Sequence, residues 1–194
     1  MIALANVVVQ ANINAFGPMA MAGCGVYAKV EGFVFLPINS FAMALTTFVG
    51  QDLGANKAHR AAEGARWGMA ILVLLAQAMG VVLFAAAPLC IALFDATPQV
   101  VAYGVARARS NALFFGLLAY THGRGAVMRG SGRPVAPMVV MLVCWCGVRM
   151  VLLALVMPVY ASVWVVYWVY PITWALSAAG MWLLKKLQTK ESTI

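Results

Sequence analysis

Apolar residues run through this chain in long blocks, separated by short polar clusters. A helix that crosses a bilayer needs about 20 mostly apolar residues. By that measure the blocks predict six spans, at residues 1–16, 23–49, 67 to 84–94, 111–128, 135–157 and 162–184. The first is short, because about 16 residues at 1.5 Å rise cover only about 24 Å. Pro37 is expected to break the second span internally and Pro88 to loosen the register of the third. Pro158 ends the fifth, and Pro171 lies inside the sixth. Between the blocks, the pattern predicts a polar loop at 51–63, a turn at 95–99 and a short interfacial helix at 100–109. A turn follows at 129–134, and 185–194 reads as a polar cytoplasmic tail.

Composition narrows the class. Of 194 residues, 64% are hydrophobic and 9% are charged, with a mean hydropathy of +0.92. A soluble domain carries about 45–50% apolar and about 25% charged residues. A soluble enzyme, a disordered tail and a nucleic-acid module are therefore excluded. The expected fold is an all-α membrane protein, a six-transmembrane-helix bundle forming one transmembrane domain over 1–194. The net charge of +8 fits basic loops on the cytoplasmic side rather than a nucleic-acid partner. One side collects Lys57, Arg60, Arg66, Arg124, Arg129, Arg133, Lys185, Lys186 and Lys190; the other holds Arg107 and Arg109. Both termini are thus expected in the cytoplasm, in a multi-pass protein of the cell (inner) membrane. No basic region follows Met1, so no cleavable signal peptide is expected. Trp67, Trp164 and Trp182 fall near expected interfaces, whereas Trp168 and Trp174 are expected to pack more deeply. The four cysteines have no metal-ligand or disulfide spacing and read as apolar filler.

Ionisable groups inside a span cost several kcal/mol, so they are paired or functional. Three fall inside spans: Lys29, Glu31 and Arg149. Lys29 and Glu31, two apart, do not face each other on a helix. Glu31 and Arg149 sit at matching depths, about 12 and about 13 Å below the outer surface. They are expected to approach each other if spans two and five are neighbours. A static ion pair and a protonatable, substrate-facing carboxylate are both open readings. Asn6, Gln10 and Asn14 are spaced to share one face of span one. That face lines a wet cavity or bonds to other helices. Asn39 lies further along span two.

The segment Ala28-Lys-Val-Glu-Gly-Phe-Val-Phe-Leu-Pro-Ile-Asn-Ser-Phe-Ala-Met-Ala-Leu-Thr-Thr-Phe-Val-Gly-Gln-Asp-Leu-Gly-Ala-Asn-Lys57 closely resembles a block of the multidrug and toxic compound extrusion (MATE) family. Asn6-Val-Val-Val-Gln10 with Ile13-Asn14-Ala-Phe-Gly17 resembles the family's seventh span. Arg129-Gly-Ser-Gly-Arg-Pro134 resembles its turn after the tenth. The resemblance implies the C-terminal six-helix lobe of a twelve-span transporter, and hence a chain truncated at its N-terminal side. It implies antiport coupled to H⁺ or Na⁺, exporting amphipathic or cationic drugs while the two lobes rock about a central cavity. No cofactor and no metal site are implied beyond the coupling ion. The partners implied are the bilayer, drug-like small molecules, and a missing N-terminal lobe or a second copy of the chain. Family members carry a coupling carboxylate in the seventh or tenth span, or in the first; spans one and four here contain no Asp or Glu. Glu31 is left as the one deep carboxylate. Glu31, Lys29, Arg149, Gln10, Asn14 and Asn39 are the candidate pathway residues. Gly50, Gln51, Gly54, Arg129, Gly130 and Gly132 are candidate structural turn residues.

Two other classes remain. One is a non-transporting or homodimerising half-transporter. The other is an intramembrane serine protease built on Ser131 with His59 or His122, which needs Ser and His within hydrogen-bond reach. The closeness of Ser131 and His122 in sequence argues against it.

Overall fold

The computed structural model describes the backbone of residues 2–191 and the side chains of residues 6–186. In chain order the helices are α1 (Ile2–Asn14), α2 (Pro18–Gly54), α3 (Ala58–Ala92), α4 (Pro98–Ala112), α5 (Phe115–Gly130), α6 (Val135–Val156) and α7 (Val163–Glu191). No strand occurs among the described residues. By length and composition, α2, α3, α6 and α7 are each able to cross a membrane. The end of the expected tail, Lys190 included, lies outside the described side chains.

The six expected spans and the expected interfacial helix appear among the described residues as seven helices, with different boundaries. The segments expected as an interfacial helix and a fourth span are α4 and α5, separated by a break at Leu113-Phe114. α4 is packed into the bundle. Val100, Gly104, Arg107, Ala108 and Asn111 form a buried face on it, and α4 packs against both α2 and α3. Its low hydropathy reflects polar groups that point into the bundle rather than out to water. The break frees backbone donors at the start of α5, and Gly116 N–H finds a partner in Gln77 Oε1 of α3 at 3.1 Å. Irregular backbone at membrane depth is tolerated where protein satisfies it in this way.

Pro37 does not break α2, nor does Pro88 interrupt α3; both helices run on past their proline. A proline removes one backbone hydrogen bond. Along α2, the contacts with α3, α4 and α5 hold the helix across that gap. The expected polar loop at 51–63 shrinks to Ala55-Asn56-Lys57, because α3 already begins at Ala58. Asn56 takes the left-handed conformation at φ 59, which asparagine tolerates better than most residues. Asp52 fastens this turn: its carbonyl accepts Lys57 N–H at 2.8 Å, and its carboxylate meets Arg60 Nε at 3.4 Å. Gly50, Gln51 and Gly54 thus belong to the last turns of α2 rather than to a turn. Arg129 and Gly130 likewise close α5. Of the six candidate turn residues, Gly132, at φ 76, is the one that takes a turn conformation most side chains resist.

Small residues bring the central helices together. A Cβ on Gly23 of α2 would come within 2.6 Å of the Val100 carbonyl and 2.9 Å of Gly104 N on α4. Close backbone approach of this kind replaces the hydrophobic drive that lipid removes. α1, α6 and α7 form a second cluster around Val9, Ile13, Leu153, Val166 and Tyr167. α6 contains a π-helical turn, Val143–Val148. Trp145 and Arg149, four residues apart, are both buried there. Trp174 is buried as expected, but Trp168 is 46% exposed and meets Phe114 edge-on. All four cysteines are free.

Candidate functional site

Helices α1, α2, α4, α6 and α7 enclose a pocket of about 360 Å³. It is lined by polar groups from α1 (Asn6, Gln10), α2 (Glu31), α4 (Arg107) and α6 (Arg149), with aromatic walls from Phe35, Trp145, Tyr170 and Trp174. Such convergence of a few polar groups on an aromatic-walled cavity is the usual composition of a small-molecule site.

Glu31 and Arg149 do meet in this pocket, as their matching depth suggested, but not as a direct ion pair. An ion pair within 4.0 Å does form between Arg60 and Asp52, at the end of the bundle. Glu31 instead accepts a hydrogen bond from Tyr27 O–H at 2.8 Å. Tyr27 is one helical turn earlier on α2, and its hydroxyl also accepts Asn111 Nδ2 at 3.2 Å. Arg149 donates to Thr173 Oγ1 at 3.1 Å and to Asn6 Oδ1 at 3.5 Å. Its guanidinium carbon lies 4.2 Å from the centre of the Tyr170 ring. Arg107 packs against the same ring at 5.0 Å and against Tyr27 at 5.2 Å. A cation over an aromatic face is attracted by the ring quadrupole, more strongly where water is excluded.

Arg107 is the residue that the linear reading misplaced. The sequence places it with Arg109 on the outer side, on a short interfacial helix. Instead it is 5% exposed and faces the pocket. Two residues on, Arg109 points elsewhere and lies 5.5 Å from the Phe84 ring. The helical spacing of Val100, Gly104, Arg107 and Asn111 carried that signal. His122 was also missed. Its ring stands edge-on to Phe35 at 5.7 Å and tilted against Trp145 at 5.5 Å, so it backs two pocket walls.

Not every candidate converges here. Gln10 lines the pocket and donates to Asn14 Oδ1 at 3.1 Å; Asn14 is exposed and lies outside it. Asn39 is exposed and outside the pocket as well. Lys29 is on the opposite side of α2 from Glu31, 5.8 Å from the Phe94 ring at the end of α3. Ser131 O–H is turned back to the Val127 carbonyl at 2.8 Å, and His122 Nε2 has no hydrogen-bond partner. A Ser–His nucleophile is thus not assembled. No group of three or more His, Cys, Asp or Glu side chains able to hold a metal occurs among the described residues.

Comparison with known proteins bears on what this pocket belongs to. The chain is 26% identical over 124 residues to the probable multidrug resistance protein NorM of Thermotoga maritima, covering 64% of this chain and 27% of that protein. Its fold matches a MOP superfamily transporter from Pyrococcus furiosus Vc1, for which a reverse polarity of the binding pocket suggests a different function. There the TM-score is 0.87 at 16% identity, over 95% of this chain and 41% of that one. It also matches a multidrug resistance MATE family transporter of the MOP superfamily in two conformations. For the outward-facing one, the TM-score is 0.86 at 16% identity, over 95% of this chain and 41% of that one. For the inward-facing one, it is 0.86 at 14% identity, over 93% and 41%. The chain thus spans about 41% of the length of the solved transporters and 27% of the curated relative. The sequence profile of the MatE family matches residues 1–156. With the all-helical fold, the apolar helices and the central polar pocket, this places the chain in the MatE family of membrane transporters, which are not enzymes.

Proposed function

We propose that this chain forms one lobe of a cation-coupled antiporter that exports amphipathic compounds, and that Glu31 exchanges the coupling ion. The observation that carries this reading is the position of Glu31. It is the one carboxylate lining the polar pocket, and the Tyr27 hydroxyl holds it at 2.8 Å. A carboxylate that gains and loses a proton or Na⁺ changes the charge of the cavity. It thereby favours one conformation over the other by differential affinity. Gln10, Asn6 and the aromatic walls supply the substrate surface.

The transport cycle is alternating access. A second six-helix lobe, either the N-terminal half of a longer chain or a second copy of this one, closes the pocket from the opposite side. The equal match to outward- and inward-facing relatives, with a TM-score of 0.86 to each, supports a lobe that moves as a unit. α4 with α5 completes one crossing, and α1 another, giving a six-crossing lobe. The ends of α2, α5 and α7 and the start of α3 come together around Arg66, Arg124 and Lys185. That basic end is the cytoplasmic face of the inner membrane by the distribution of basic loops.

Inside-out membrane vesicles holding the native protein test the reading. An H⁺ or Na⁺ gradient, applied separately with the higher concentration in the vesicle lumen, should drive uptake of a fluorescent amphipath, and the ion that does so is the coupling ion. No transport under either gradient would leave a non-transporting membrane subunit as the better description.

A further inference from the structure

The pocket holds two guanidiniums and one carboxylate. Arg107 and Arg149 are 5% and 3% exposed. An arginine keeps its charge in any protein setting. The lobe's share of the pocket is therefore positive whether Glu31 is ionised or protonated. Carrying the coupling ion on Glu31 makes it more positive.

The two cations are also incompletely satisfied. Arg107 makes no hydrogen bond among the described residues; its contacts are the faces of Tyr27 and Tyr170. Its buried Nε has no partner, and neither has that of Arg149. Arg149 has found two neutral oxygens, on Thr173 and Asn6, and no carboxylate. A buried cation is costly unless it is paired and hydrogen-bonded. Guanidinium offers a planar fork of donors that matches a carboxylate, sulfonate or phosphate. Tyr170 lies against both guanidiniums, so it fixes the two around one region of the cavity.

We propose that the substrates of this pocket are amphipathic aromatic anions, with the acidic group held by Arg107 and Arg149 and the ring packed against Trp145 and Trp174. This rests on the pocket being the transport site proposed above, and it sets the substrate class there. A cationic drug would enter against two fixed positive charges. Its single counter-charge would be Glu31, the group that also carries the coupling ion.

Three probes of one shape separate the possibilities: 2-naphthoate, neutral 2-naphthamide and 2-naphthylmethylammonium. Their affinities for the native protein are measured by calorimetry in a neutral maltoside detergent, so that no anionic lipid competes. Naphthoate is expected to bind at least about tenfold more tightly than the ammonium probe, as charge-assisted bonds to a desolvated arginine predict. Arg107→Gln and Arg149→Gln should each weaken naphthoate about tenfold or more, while naphthamide binding reports that the pocket is intact. Should a glutamine variant fail to fold, Arg107→Lys and Arg149→Lys keep the charge but lose the fork, and naphthoate should then weaken less than ammonium binding differs from it. Ammonium binding as tight as naphthoate, or naphthoate affinity indifferent to these substitutions, overturns the proposal. Gradient-driven transport combined with a preference for the ammonium probe would reject the substrate class alone. Naphthoate preference without gradient-driven transport would reject the antiport reading alone.

Discussion

Tyr27 donates its phenolic O–H to Glu31 Oε1 at 2.8 Å, one helical turn away on α2. The same hydroxyl accepts the amide of Asn111 from α4 at 3.2 Å. Tyr27 therefore ties the candidate ion-exchange group to a second helix. Phenylalanine at this position removes both bonds and leaves Asn111 without its partner. Tyr27→Phe should lower stability by about 1–3 kcal/mol, the usual cost of stranding buried polar groups. Thermal unfolding of the purified protein in detergent reads it. A melting curve identical to wild type would mean that this bond does not link the helices.

Helix α2 meets α4 through a glycine with no spare room. Gly23→Ala places a methyl group 2.6 Å from the Val100 carbonyl, and overpacking of this kind costs about 1–3 kcal/mol. Gly25, two residues on, has nothing within 4 Å of an added Cβ. Gly25→Ala should be neutral or slightly stabilising. The pair of variants, compared by melting temperature, separates the helix crossing from a general intolerance to alanine.

Ser177 joins three helices. Its hydroxyl lies 3.1 Å from Thr121 on α5 and accepts Trp145 Nε1–H of α6 at 3.2 Å. Ser177→Ala strands the indole N–H beside the pocket. Stability should fall by about 1–3 kcal/mol, and Trp145 emission should shift as its partner is lost. An unchanged fluorescence spectrum would count against the contact.

Much of this was legible in the sequence. The apolar blocks give the helices, and the depths of Glu31 and Arg149 foretell that they share a cavity. The segment from Ala28 to Lys57 points to the family. What failed did so for physical reasons. Average hydropathy cannot distinguish a polar face turned toward water from one turned inward, so Arg107 reads with Arg109 as part of an outer interfacial helix. Helical spacing would have parted them. Pro37 reads as a break and Pro88 as a loosened register because a local rule counts the lost hydrogen bond and not the tertiary contacts that carry a helix past it. Gly50, Gln51 and Gly54 looked like a turn, yet Asn56 is the residue that takes the left-handed backbone. Tyr27 and Tyr170 gave no sign, since only the packing of α2, α4 and α7 reveals that they touch the two arginines.

One pH effect lies outside the spans. Asp95 Oδ1 accepts the backbone N–H of Thr97 at 2.8 Å at the start of α4. That bond holds the exposed Asp95 carboxyl below the ordinary carboxylate range. The folded value is the lower one, so the bond's contribution is complete above the ordinary range and is lost as pH falls through the lowered value. The Thr97 amide should be protected from exchange at neutral pH and lose that protection in acid. Asp95→Ala should abolish the protection at every pH.

Glu31→Gln puts the central claim to its most direct test. It keeps the size of the side chain and its hydrogen bond from Tyr27, while removing the exchangeable charge. In proteoliposomes holding the native protein, gradient-driven accumulation of substrate should collapse, whereas substrate-for-substrate exchange without a gradient should persist. Accumulation that continues at the wild-type level would contradict the account and place the coupling group outside this pocket.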